Sequence, residues 1–359
     1  MHTKQEHISS YQLFIAVIFL NISTAVFFLP GEPVTIIYQN AWLAIIIATI
    51  LEILLGIYPL VYLGLKFPKQ TIIQYSPQIL GKYGGKVMGL LLIFWFFQLH
   101  CWTIREFGEV SDIFLPETPL IAFIGILSLL TAFAVLRGIE VIARCGEFIF
   151  PIGMFFLLLI GFFSLSSMNL FNLRPFLNVN LLQILKATIS PLDWLSTAVG
   201  FGVLAGFVRD PQKLKQVGIL AVSLSGAVLL IFTIVILLVF GSGLLPTFTI
   251  PLLNLSQYIE VQGTEALVLT VWFSWILMRT ALWSYITVFS ISQLFNLSGY
   301  RFLVMGEIIL ATAYSINQYQ NFMELSYFFS VAHLLYLIFQ LGIPLVLWIV
   351  FLVRKKILN

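Results

Sequence analysis

Ten stretches of this chain are apolar for long enough to cross a lipid bilayer, and little lies between them. A spanning helix needs about 20 predominantly apolar residues. The stretches lie near 10–37, 41–65, 86–113, 119–137 and 139–165, and then near 190–209, 214–243, 264–296, 300–317 and 325–353. They use up most of the 359 residues. Composition points the same way. Charged residues make up 9% and hydrophobic ones 60%, whereas roughly a quarter of an ordinary soluble domain is charged. A soluble enzyme cannot hide that much apolar surface, and a disordered chain does not carry it. The expected fold class is an all-α integral membrane protein of about ten transmembrane helices, with the lipid bilayer as its principal partner.

The basic residues set an orientation, because cytoplasmic loops collect Lys and Arg. With the N-terminus inside, 14 of the 18 basic residues fall on the cytoplasmic side. The other four are Arg105, Arg174, Lys186 and Arg279. Both termini are therefore expected in the cytoplasm. Residues Met1 to Ser10 are polar and run straight into the first apolar stretch, which reads as an uncleaved first helix. Cys101 and Cys145 both fall in predicted spans, so neither a disulfide framework nor a metal motif is indicated.

The longest connection, about Ser166–Ile189, divides the chain nearly in half. One transmembrane domain over 1–359 then contains two five-helix halves, 8–165 and 187–353. Five spans followed by five put the halves in opposite orientations, the arithmetic of an inverted-repeat transporter fold. Two connections look amphipathic. Lys69–Gly81 is expected on the inner surface, and Pro251–Gln262 is expected to cap the outer side.

The first and sixth spans are interrupted at matching positions. Asn21-Ile22-Ser23-Thr24 places a polar patch at mid-membrane, with Ala25 following. The sixth span has Ser196-Thr197 and then Gly200-Phe201-Gly202 at similar depth. Small and polar residues there either allow close helix packing or break both helices. Broken helices in corresponding positions of two halves mark a transporter-type binding site. An unwound turn offers N–H groups to an anion and carbonyls to a cation. A zwitterionic amino acid carries both charges close together. Its carboxylate is expected near the backbone of Ser23–Val26. Its ammonium is expected near the carbonyls of Phe19–Asn21 and Thr197–Val199.

Three segments resemble the B subunits of the GerA-type spore germinant receptors, within the amino acid–polyamine–organocation transporter superfamily. They are Ile8-Ser9-Ser10-Tyr11-Gln12-Leu13, the first-span ending Asn21 to Pro30, and Arg137-Gly138-Ile139-Glu140-Val141-Ile142-Ala143-Arg144. The last is the most specific. Where that family usually has a glycine-containing stretch before Leu-Pro, this chain has Asn21, Ser23, Thr24 and Ala25. The resemblance covers essentially the whole chain. It implies a LeuT-like fold with broken first and sixth helices, and a place in the spore inner membrane. It also implies assembly with an A subunit and a C lipoprotein subunit, and binding of a small-molecule germinant, often an amino acid. The alternatives are an active amino acid permease, proton-coupled or not, and a membrane scaffold with a vestigial pocket.

A charge at the bilayer centre costs roughly 2.5–3.5 kcal/mol on insertion scales, so each one must face protein or water. On the third span, Gln98, Trp102, Glu106 and Glu109 share one face beside Arg105. They either line an outer vestibule or, with Arg105, form a structural ion-pair group. Arg279 lies near the middle of the eighth span. It either stands in for a coupling cation, or pairs with a buried glutamate such as Glu52. Glu147 and Glu307 serve either proton coupling or packing pairs. His100 and His333 read as solitary core histidines. Trp102, Phe201 and Trp275 are carried as wall candidates, because their heights match the breaks.

The candidate ligand-binding set is thus Asn21, Ser23, Thr24, Ala25, Thr197, Gly200, Phe201, Gly202, Trp102 and Trp275. Glu106, Glu109, Arg279 and Glu52 are candidates for coupling or gating. No cofactor and no metal are expected. The sequence carries no Walker loop, no GxSxG elbow, no HExxH and no basic-aromatic surface for nucleic acid. Hydroxyls and small apolar groups around the breaks favour a neutral amino acid over a charged one.

Overall fold

A computed structural model describes residues 6–114, 116–259 and 261–358, with backbone alone at 322, 326, 329–331 and 355–358. The described residues are overwhelmingly helical and form no named strand. Seven helices are long and apolar enough to cross a membrane on their own. The difference from ten has a simple geometry. One of the seven, Ser10–Lys66, runs through the first two predicted spans. The ninth, Arg301–Asn317, is 17 residues long. The sixth is cut into pieces at Thr197.

The first span is Ser10–Ile22, then Ala25–Phe28, with a break between. Ser9 caps its start in a reciprocal capping box with Gln12. The second span, Ala41–Leu51 and Tyr58–Lys66, is joined by a π-helical turn at Glu52–Ile57. The tenth has the same device, Ile338–Gly342, between Phe322–Leu337 and Ile343–Leu358. The third span does not begin at 86. A helix from Ile72 runs to Phe114, with a corner at Gly81, whose φ of +82° suits glycine. The amphipathic segment expected over Lys69–Gly81 is therefore a helical turn-in that buries Ile72, Ile73 and Ile79. On the other side, Pro251–Tyr258 is a short helix that buries Leu252, Leu253 and Leu255. The long connection is shorter than expected. Asn180 caps a helix that starts at Leu181 and continues into the sixth span.

At the N-terminal end of the bundle, one carboxylate ties together segments far apart in sequence. Glu6 accepts hydrogen bonds from the hydroxyls of Tyr285 (3.0 Å) and Tyr300 (3.1 Å) and from the Ile139 N–H (3.1 Å). Arg301 lies 3.7 Å away. Beside it, the His7 N–H donates to Glu140 at 2.9 Å. Ile8 pairs with the end of the sixth span, through bonds of 3.0 Å to the Phe207 carbonyl and 3.2 Å from the Arg209 N–H. Gly138 links the fourth and fifth spans with φ +93°. A Cβ there would also lie 2.6 Å from the Glu6 carboxylate. The Arg137–Arg144 segment is thus the seat of the N-terminal strap.

Candidate functional site

The first-span break arises from side chains that compete for backbone acceptors, with no glycine involved. The Ser23 hydroxyl donates back to the Phe19 carbonyl, and the regular helix stops at Ile22. Helix ends leave orphan carbonyls, and inside a membrane another group must take them up. The Thr197 hydroxyl lies 2.9 Å from the Leu20 carbonyl and 2.8 Å from that of Trp194. Asn21 presents its carbonyl oxygen 3.2 Å from the same hydroxyl, and its amide reaches Ser225 at 3.4 Å. Thr197 in turn opens the tight turn Thr197–Gly200 that interrupts the sixth span. The two interruptions therefore meet each other at Thr197.

Against this junction lies a cavity of about 30 Å³. The third span supplies Leu99, Trp102, Thr103 and Glu106. The sixth gives Asp193, Trp194 and Thr197, the eighth Arg279, and the tenth His333, Tyr336 and Gln340. Charged side chains of both signs converge here in the centre of an apolar bundle. Arg279 is 4% exposed, Glu106 5% and Asp193 5%. Arg279 donates to the Thr24 hydroxyl, and the Glu106 carboxylate lies beside that hydroxyl. The guanidinium carbon sits 5.8 Å from the centre of the Trp194 ring. A second chain of polar groups leads away from the cavity towards the end opposite the N-terminus. Gln340 donates to Asp193 at 3.0 Å, and His333 Nδ1 lies 2.8 Å from the other Asp193 oxygen. His333 Nε2 is 3.6 Å from Glu32, and Glu32 also accepts from Ser190.

The expected site residues separate into two groups. Trp102, Thr197, Glu106 and Arg279 line the cavity, and Thr24 reaches it through Arg279. Ser23, Asn21 and Ala25 are buried in and beside the break without lining it. Gly200 and Gly202 lie where a Cβ would press on Leu20 (2.7 Å) and Leu60 (3.0 Å), and Phe201 is fully buried between helices. Trp275 meets Phe19 edge to face, stacks with Phe150 and lies over Gly153, away from the lining. Glu109 pairs with Arg105 (2.5 Å), whose other nitrogen donates to the carbonyls of Ser315 and Ile316. Of the two roles open to that stripe, Glu109 has the ion pair and Glu106 has the cavity. Glu52 is not the partner of Arg279. It accepts from Ser196 at 2.8 Å and folds over Gly56 in the π turn.

Asp193, Trp194, His333, Tyr336 and Gln340 were missed by sequence reasoning. Asp193 carried a usable signal, since an acidic residue inside a span marks a functional site by default. His333 looked alone because its partners lie 140 residues away and further. His100 is not solitary either: it lies 2.6 Å from Glu307, which also accepts from Ser284. Glu147 accepts from Gln12 at 3.2 Å. Among the described residues, no group of three His, Cys, Asp or Glu is arranged to hold a metal ion.

A family model described as spore germination protein matches residues 7–323. The chain belongs to the spore germination protein family. Spore germination protein KB of Bacillus subtilis (strain 168) is 28% identical over 379 residues, covering 98% of this chain and 96% of its own. Spore germination protein B2 of the same organism is 24% identical, covering 99% and 98%. Among solved structures, MhsT in complex with L-phenylalanine superposes with a TM-score of 0.72 at 12% identity, covering 97% of this chain and 99% of that one. Mhp1, a nucleobase-cation-symport-1 family transporter in a closed conformation, gives 0.56 at 13% identity. At such identities the likeness establishes the fold, which is LeuT-like, in a multi-pass membrane protein.

Proposed function

We propose that this chain is the germinant-sensing B subunit of a spore nutrient receptor. It binds a small, neutral amino acid in the cavity beside Thr197 and signals to partner subunits to trigger germination. The carrying observation is the meeting of Arg279, Glu106 and Asp193 around one cavity at the helix breaks. Buried charges in a membrane bundle are costly, and a ligand with both signs of charge is what such an arrangement suits. Membership of the family supports the germination role. The chain performs no chemistry on its ligand. It lies in the spore inner membrane with both termini cytoplasmic, its halves 8–165 and 187–353 forming the inverted repeat. It acts with an A subunit and a C lipoprotein subunit.

One wall of the cavity carries a helix irregularity. The tenth span supplies three of the lining residues and contains a π turn that includes Gln340. Ligand binding then biases an equilibrium between open and closed forms, and the partners read that change.

The test is a paired binding and uptake assay. The purified chain is reconstituted in liposomes and offered labelled neutral amino acids, with and without a proton gradient. Saturable binding without accumulation is the expected result. Accumulation that follows the gradient would move the permease function ahead.

A further inference from the structure

Resting on the amino acid reading above, we infer that ligand recognition is carried by side chains, with Arg279 as the receptor for the ligand's α-carboxylate. Glu106 and Asp193 hold its ammonium group.

Three observations lead there. First, two of the carbonyls at the broken helix end already face hydroxyls of this chain. Ser23 donates to the Phe19 carbonyl, and the Thr197 hydroxyl sits between those of Leu20 and Trp194. The break is therefore poorly placed to hold an ammonium through those oxygens. Second, Arg279 is buried, yet among the described residues no carboxylate lies within 4.0 Å of it. Its hydrogen-bond partner is one neutral hydroxyl, that of Thr24, and its Nε has no partner. A guanidinium has five donors. Third, the opposite charge faces the same cavity. One Glu106 oxygen is buried without a partner, and so is the Gln340 side-chain oxygen.

A buried guanidinium that lacks a paired anion is among the least favourable groups a bundle can hold. Two carboxylates stand nearby, but neither closes onto it. Its planar fork matches a carboxylate in two parallel hydrogen bonds. A zwitterion placed between Arg279 and the Glu106–Asp193 pair satisfies both sides together. The ligand's side chain then faces Trp102, Trp194 and Leu99. The predicted ligand class is an α-amino acid with free amino and carboxyl groups. The corresponding amide, ester and amino alcohol bind far more weakly.

The test uses the full chain in lipid nanodiscs. The twenty common amino acids are screened for binding, and the best binder is compared with its own primary amide. Wild type is expected to bind the acid about 100-fold more tightly than the amide, the scale of losing one partner of a buried charge pair. In Arg279→Gln that preference should collapse to within about threefold, since no fixed cation remains to reward the carboxylate. Arg279→Lys should keep part of it, because the charge stays while the fork is lost. Glu106→Gln should weaken the amino acid but leave its desamino analogue unaffected. An acid-to-amide ratio that is unchanged in Arg279→Gln overturns the assignment. Equal binding of acid and amide by wild type does so without any variant, should Arg279→Gln fail to fold. If wild type binds none of the twenty, the amino acid reading itself fails, an outcome distinct from both.

Discussion

Replacing Glu6 by Ala should open the N-terminal end of the bundle by about two orders of magnitude. The magnitude follows from its contacts. Three donors, Tyr285, Tyr300 and the Ile139 N–H, point at one carboxylate from 3.0–3.1 Å. A hydrogen bond to a charged group contributes about 1.5–3 kcal/mol. The lower figure applies, because the Glu6 side chain is 21% exposed. Arg301 adds little, being 3.7 Å away and 65% exposed. Three bonds at about 1.5 kcal/mol, less about a third regained when the freed donors meet water, leave about 3 kcal/mol. That is roughly a 100-fold shift in the closed-to-open ratio. The assay places a single reporter thiol at Val208, which is 1% exposed and faces Ile8, in a background with Cys101 and Cys145 changed to Ser. Alkylation by a membrane-impermeant maleimide from the N-terminal side then follows the open population, provided reclosing is fast. Glu6→Ala should raise the rate about 100-fold. A rate within about threefold of the parent would show that the strap is held by Ile8 and its backbone pairing, with Glu6 incidental.

Three further variants probe neighbouring features. Gly138→Ala should cost about 1–3 kcal/mol, because φ +93° is a glycine conformation and the new methyl meets Glu6; combined with Glu6→Ala in the same alkylation assay its effect should be less than additive, since both release one contact. Thr197→Val should lower the thermal unfolding midpoint by removing the hydroxyl that faces the buried Leu20 and Trp194 carbonyls, at about 1–3 kcal/mol, while Thr197→Ser, which keeps the hydroxyl, should restore most of it. Gly153→Ala drives a methyl into the Trp275 indole, so the melting temperature should fall by the equivalent of about 1–3 kcal/mol. Its acid-to-amide preference should stay at the wild-type value; a changed preference would return Trp275 to the binding site.

How far the sequence could be read depended on whether a feature was local. Spans were legible because hydropathy is a property of each segment alone, and so were the breaks, where Asn21 to Thr24 interrupts an otherwise apolar run. The start of the sixth span at Leu181 was not, because Gln183 and Lys186 dilute its hydropathy and its cap depends on Asn180 taking a particular backbone shape. Partnerships were the hardest. Arg279 meets Thr24 across 255 residues, and Glu6 meets Tyr300 across 294. No spacing rule reaches that far. A charge in a span announces that it needs a partner but not which one, so Glu52 was as reasonable a partner for Arg279 as any. The structure gives Glu52 to Ser196 and leaves Arg279 among groups that stop short of neutralising it.

That outcome also explains why a backbone clamp was the natural expectation and why the side chains point elsewhere. In a break built from glycine, bare carbonyls and N–H groups are the available polar groups. Here Ser23 and Thr197 supply hydroxyls, and a hydroxyl next to an orphan carbonyl bonds it at once. The same residues that interrupt the helices therefore offset part of the backbone charge that the interruption exposes. On the inferred recognition mode, fixed charges nearby take over that task, and the bundle holds them at that depth: Arg279 on the eighth span, Glu106 on the third and Asp193 on the sixth. Each belongs to a different helix, so a ligand that satisfies all three fixes the spacing of those helices. In the receptor function proposed above, this is how binding one small molecule becomes a change in shape that a partner subunit reads.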